Sequence, residues 1–236
     1  CYYVVKCLLP VEVPVNDGFF RCVRVEAEEG SLVHPRYPAP VAGGNLETSQ
    51  RLVDVLLRAL SHLLPDRIPA ASCGSMNNVI VSGKDPRTQE EWAFYETHGG
   101  GAGASPFFHG PSAVHTHMTN TQNTPIETLE HTYPIQFLRY EIREGSGGKG
   151  KWRGGEGIRR AWKLLAPEAR VSLLADRSRF SPYGLAGGHP GTRSEFFLVH
   201  QGENPEPLES KQVFDLEAGD EFWMETAGGG GWGGGE

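Results

Sequence analysis

Residues Ile135 to Ala166 read IQFLRYEIREGSGGKGKWRGGEGIRRAWKLLA. Two β-prone runs, Ile135–Glu144 and Ile158–Leu165, flank a segment too rich in glycine and charge for regular structure. The same rhythm continues downstream. Short β-prone runs fall at Ala169–Asp176, Glu195–His200, Gln212–Leu216 and Asp220–Thr226, separated by Gly, Pro or charged turns. Evenly spaced short strands with turn signals between them predict a sandwich-like or barrel-like β unit. Upstream the pattern is mixed, so a boundary is placed near residue 132. The fold reading is α+β: a mixed α/β part over 1–132 with one long amphipathic helix, then a strand-rich, sandwich-like part over 133–236.

The long helix is the clearest upstream element. Asn45 or Thr48 can cap it, and Leu52, Val53, Leu56, Ala59, Leu60, Leu63 and Leu64 fall on one helical face before Pro65. Phe20–Ala27 alternates apolar and polar residues and predicts a strand, as do Asn78–Ser82 and Glu91–Thr97. The run GGGAGASPFFHG at Gly99–Gly110 predicts a loop, or a strand with close backbone approach. A helix starting near Thr124 or Pro125 fits proline in a first turn, with Glu127 as an early acid.

Composition excludes several classes. The 236 residues carry a formal charge of −7 and no long basic stripe, which argues against a nucleic-acid groove. No apolar run approaches the length that spans a bilayer. The 31 glycines and 17 prolines come in clusters between apolar runs, a pattern of tight turns in a packed domain. Cys1, Cys7, Cys22 and Cys73 form no CxxC pair, which suits reduced thiols in a cytoplasmic protein. The chain opens on Cys1 inside an apolar run and closes after a glycine run. A fragment is expected, with a processed amino-terminal cysteine nucleophile as the alternative.

Candidate chemistry concentrates between Tyr95 and Glu130. His115 and His117 are two apart, so an extended strand would point both to one face, where they can hold a metal or act as acid and base. Asn120 and Asn123 can orient a carbonyl or an amide, or simply serve turns and caps. Glu96, Glu127 and Glu130 can act as bases or ligands. Gly99–Gly103 lacks the Lys-Ser/Thr ending of a P-loop and reads as a structural glycine loop. Arg177, Arg179 and Arg193 flank SPYGLAGGHPG and can meet a substrate carboxylate or pair with Asp176. No GxSxG elbow accompanies Ser72 and Ser75, and Cys73 reads as a small buried residue.

Each of these motifs is weak alone, but their order is specific. PVNDGFFRCVRV, EGSLVHPRYPAPVAGGNLETSQR, SCGSMNN, YETHGGGAGA, HTHMTNTQNTPIETLE, GSGGKGKWRGGEGI and PYGLAGGHPG follow one another along the chain as they do in the hydantoinase B/oxoprolinase family, which the chain resembles over essentially its whole length. NTQNTPIETLE is more similar to N-methylhydantoinase B-type chains than to fused 5-oxoprolinases. The resemblance implies the carboxy-terminal half of a subunit that pairs with an ATP-binding hydantoinase A-type partner in a hetero-oligomer. Together they would hydrolyse a cyclic amide of the hydantoin or 5-oxoproline class. The alternatives are an acetone or acetophenone carboxylase-type subunit and a non-catalytic scaffold. It also implies that the divalent metal is bound through an amino-terminal GGTHxxD-type motif, which this sequence does not contain, so that the fragment alone would be inactive. On this reading Glu96 and His98 line the site, with His115, His117, Asn120 and Asn123 across from them.

Overall fold

A computed structural model describes residues 1–234; the final glycine and Glu236 lie outside the described residues. The chain forms two compact units, Cys1–Ile68 and Pro69–Glu236.

The first unit holds three helices: α1 (Tyr2–Leu8), α2 (Asp17–Arg21) and α3 (Ala42–Ser61). The strand expected at Phe20–Ala27 is not formed. Instead Asn16 caps a short helix by accepting the Phe19 N–H at 3.2 Å, and Asp17 favours its positive end. Residues 23–28 have no ladder partner, and local alternation cannot form a strand without one. α3 begins at Ala42, ahead of both expected caps, and ends at Ser61. Its buried face is Glu47, Gln50, Val53, Asp54 and Leu57, whereas Leu52, Val55 and Leu63 are exposed. The leucine stripe therefore locates the helix but not the side it buries.

The second unit contains β1 (Asn78–Lys84), β2 (Glu91–Glu96), α4 (Ile126–Thr132), β3 (Ile135–Arg143), β4 (Gly157–Leu164), β5 (Glu168–Leu174), β6 (Glu195–Val199), β7 (Glu206–Pro207), β8 (Lys211–Glu217) and β9 (Glu221–Glu225). Apart from the two-residue β7, the strands fall where alternation places them, within a few residues. They build two antiparallel sheets, β2-β1-β5-β8 and β3-β4-β9-β6-β7. β1, which precedes residue 132, thus pairs with β5, which follows it, and brings β2 and β8 into one sheet. One core joins the sheets: Val79, Val81, Val171, Leu173 and Leu216 from the first meet Ile135, Trp162, Leu164, Phe196, Phe222 and Met224 from the second. Phe214 and Phe222 approach to 5.8 Å between ring centroids across the layers.

At one end of this sandwich the glycine-rich segments form a packed body of their own. Residues 99–104 bond to four neighbours: Ala70 and Cys73, Pro111 and Val114, Gly155, and Ala227 and Gly230. A pleated strand has only two hydrogen-bonding edges, so this is a three-dimensional backbone lattice rather than a sheet. Such close approach requires residues without Cβ. A Cβ on Gly101 would sit 1.9 Å from the Gly155 carbonyl oxygen, and one on Gly154 would sit 2.0 Å from that of Gly229. The backbone amides of 100–104 are all engaged within this lattice or by Ser72 Oγ, consistent with the structural reading of Gly99–Gly103.

Candidate functional site

The site lies where β2 runs out of the sandwich and into the glycine lattice. Trp92 and Phe94 pack against the core, and alternation sends Glu96 to the same side. Glu96 is only 6% exposed. Arg160 reaches it from the other sheet, because Ile158, Arg160, Trp162 and Leu164 share one face of β4. Nη1 of Arg160 lies 2.5 Å from Glu96 Oε2, while Oε1 accepts the Thr124 N–H at 2.6 Å. The Arg160 guanidinium stacks against Phe137 (4.7 Å) and Tyr140 (4.8 Å). Burial opposes ionisation of Glu96. The His98 ring in its protonated form, the Arg160 charge and the Thr124 amide outweigh it and hold the carboxyl at about 2.

His98 is also buried, with Nε2 3.4 Å from Glu96 Oε2. Its Nδ1 lies 3.0 Å from the Asn77 carbonyl oxygen. A carbonyl only accepts, so Nδ1 carries the hydrogen and Nε2 is the basic atom of the neutral ring. Burial lowers the pKa of His98, and the Arg160 charge adds to this, against the opposing pull of Glu96. Asn77 clamps the ring further by donating Nδ2–H to the His98 carbonyl at 2.9 Å, from a left-handed backbone with φ of 45°. Asparagine tolerates this conformation better than most residues.

Loop 115–125 closes the site. His115 Nε2 lies 3.1 Å from Thr121 Oγ1, which in turn lies 2.5 Å from Thr97 Oγ1. Burial lowers the pKa of His115, and the nearby His98 pushes the same way. Asn123 donates to the Thr97 carbonyl at 2.8 Å and accepts from Tyr140 OH at 3.0 Å, so it ties the loop to both sheets. Of the residues around Arg160, Tyr140 is the one that reaches solvent. That ring pairs directly with Arg160 across the ladder, yet it is 44% exposed.

The Hydantoinase B/oxoprolinase family profile matches residues 1–234. The chain belongs to this family. It is 47% identical over 98% of its length to an uncharacterized protein of Methanocaldococcus jannaschii, covering 40% of that relative. With 5-oxoprolinase 1 of Arabidopsis thaliana the identity is 38% over 98% of this chain and 17% of the relative. A Pseudomonas protein, provisionally named as the B component of a D-/L-hydantoinase, is 33% identical over 75% of the chain and 29% of its own length. The chain thus spans two fifths or less of these curated relatives. Among solved structures it is similar to the ATP-dependent caprolactamase of Pseudomonas jessenii, with a TM-score of 0.81 and 26% identity over 99% of this chain and 42% of that one. It also shares a fold with acetone carboxylase, at a TM-score of 0.57 and 21% identity over 75% of this chain and 29% of that one.

In this hydantoinase B/oxoprolinase chain, Glu96, His98, His115 and Asn123 come together, while Asn120 is exposed on the loop. The expectation that His115 and His117 share a strand face does not hold. A turn at Thr116–Thr119 and a φ of 61° at His117 break the extended chain between them. Arg177 serves the framework, donating to the Cys73 and Ser72 carbonyls. Arg160, Tyr140 and Asn77 were not anticipated. Arg160 did leave a signal: a cation in step with Ile158, Trp162 and Leu164 on an otherwise apolar strand face.

Among the described residues no group of three or more His, Cys, Asp or Glu can hold a metal ion. Glu96 and His98 do not offer such a site either, since the Arg160 guanidinium already occupies the cation position beside them. No described helix is long and apolar enough to cross a membrane.

Proposed function

We propose that this chain is part of a hydantoinase B-type subunit that, with an ATP-binding A-type partner, hydrolyses a cyclic amide of the hydantoin or 5-oxoproline class. The observation that carries the reading is the buried Glu96–His98–Arg160 cluster, in a chain that parallels a caprolactamase along its length. Lactams and hydantoins share the ring amide, and the relatives named for oxoproline and hydantoin support that substrate class. A relative named as the B component of a hydantoinase supports an A-type partner. The four cysteines form no disulfide among the described residues, which supports a cytoplasmic setting.

A ring amide is a poor electrophile, and the partner's ATP is assigned its activation. This chain's residues then handle the proton. His98 Nε2, neutral because the ring is buried, accepts a proton from the attacking water and returns it to the leaving nitrogen. Ionised Glu96 stabilises the imidazolium formed in between, and Arg160 with the Thr124 amide keeps Glu96 ionised and in place. Asn77 fixes the tautomer. A positioned acid–base group of this kind contributes about 10²–10⁴ in rate. The metal is assigned to the amino-terminal part of the longer subunit, and no step here passes through it. The isolated chain is therefore inactive.

The test is to assay the longer subunit with its A-type partner for ATP hydrolysis in the presence of 5-oxoproline, hydantoin or a ketone. ATP use coupled to ring opening and independent of bicarbonate is expected. Bicarbonate-dependent ATP use with the ketone would replace this reading by the carboxylase one. Ring opening that persists after loss of the His98 imidazole would leave the chain a scaffold.

A further inference from the structure

Three arginines lie buried in the second unit, and they differ in how their N–H groups are engaged. Arg143 donates to the carbonyls of Arg193 and Thr226 and pairs with Glu195 and Glu225. Arg177 donates from Nε and Nη2 to the carbonyls of Cys73 and Ser72. Arg160 is buried deepest, at 2% exposure, yet none of its Nε, Nη1 and Nη2 makes an aligned hydrogen bond. Its ionic partner is a single oxygen of Glu96, whose other oxygen is held by Thr124. Glu96 therefore cannot close the two-point fork that a guanidinium offers a carboxylate.

Donors buried without acceptors are destabilising, and arginine's planar fork matches carboxylate and phosphoryl oxygens. The guanidinium carbon lies 4.7 Å from the Phe137 ring centroid and 4.8 Å from that of Tyr140, contacts that engage no N–H. With Nη1 against Glu96, Nε and Nη2 are the donors left to meet an oxyanion. We propose that Arg160 is a subsite for an anionic oxygen pair on the substrate, a carboxylate or phosphoryl group, with the Tyr140 ring as its cover. Tyr140 is suited to this, since it is 44% exposed and its hydroxyl is tied by one hydrogen bond, to Asn123. The inference rests on the ring-opening reading for the identity of the substrate, but anion binding at Arg160 does not depend on turnover. It deepens that reading by favouring rings that carry, or acquire, a negative group over uncharged ones.

The test is a titration of the full chain, with ¹⁵N in the arginine side chains, by inorganic phosphate. The Arg160 Nε–H resonance is expected to shift saturably while those of Arg143 and Arg177 stay. Arg160→Lys, which keeps the charge but loses the fork, should weaken binding at least about tenfold. Tyr140→Phe keeps the stacked ring and releases Asn123, so it should tighten binding severalfold. Competition by 5-oxoproline but not by hydantoin would assign the subsite to a carboxylate, whereas binding of phosphate alone would assign it to a phosphoryl group. An Arg160 resonance unmoved by either anion overturns the proposal, as does equal affinity in a folded Arg160→Lys. Should that variant not fold, the wild-type titration and Tyr140→Phe decide. Anion binding at Arg160 in a complex that opens no ring would sustain the subsite and remove the functional reading instead.

Discussion

Replacing Glu96 by Gln keeps the shape of the side chain and an oxygen for the Thr124 N–H, but leaves Arg160 buried without a counter-charge. Two estimates bear on the size of the effect. The Glu96 carboxyl titrates at about 2 in the folded chain against an ordinary value of 4.5, which by linkage corresponds to roughly 3 kcal/mol. Solvent beside the partly exposed Tyr140 screens the pair and brings this toward about 2 kcal/mol. Breaking a buried ion pair from one side costs about 3–5 kcal/mol in general. Glu96→Gln is therefore expected to destabilise the second unit by about 2–4 kcal/mol at neutral pH. Because the folded pKa is depressed, the wild-type contribution is complete above about 4.5 and is lost as pH falls towards 2. The gap between the two proteins should close over that window. All five tryptophans lie in the second unit, so urea unfolding followed by tryptophan fluorescence reports on the relevant body. Removing both charges, in Glu96→Gln with Arg160→Met, should recover most of the loss. A single variant within about 0.5 kcal/mol of wild type, or a double variant worse than the single, would show that the Glu96–Arg160 pair does not stabilise the fold.

Other expectations follow from the same geometry. Gly101→Ala places a Cβ 1.9 Å from one backbone carbonyl oxygen and 2.3 Å from the Gly229 nitrogen, so a loss of about 3 kcal/mol or more is expected in the same unfolding assay. Gly44→Ala, inside α3 with nothing within 4 Å, should instead raise the melting point of the first unit, by about 0.5–1 kcal/mol in stability, as read by far-ultraviolet dichroism. The burial-lowered pKa of His98 predicts that kcat/KM for ring opening falls on an acidic limb below about 6.5, as the ring gains a proton and ceases to be a base. A limb placed above that value would contradict the assignment.

Much of the sandwich was legible because alternation is a local signal. Apart from the two-residue β7 and the place of Arg160 in β4, the strands carry apolar residues at every second position, and glycine or charge breaks them. The glycine lattice was half-legible. Sequence shows that 99–103 and 145–157 cannot be ordinary elements, but not that five separate segments converge with four-way hydrogen bonding. Glu96 was readable as a candidate base or ligand, while His98 entered through the family resemblance. The placement of loop 115–125 was not, since it is set by Asn123 reaching Thr97 and by Thr124 reaching Glu96, contacts no periodicity encodes. The same holds for α3, where Glu47, Gln50 and Asp54 occupy the buried face that pattern alone gives to leucines.

The proposed function stands or falls on His98 Nε2 as the atom that moves the proton during ring opening. Single-turnover ring opening by the complete complex, with ATP saturating and His98 replaced by Gln, tests it most directly. A fall of about 10²–10⁴ in the ring-opening step, loss of the acidic limb and unchanged nucleotide binding are expected. A variant that opens the ring at wild-type rate with the acidic limb intact would contradict it.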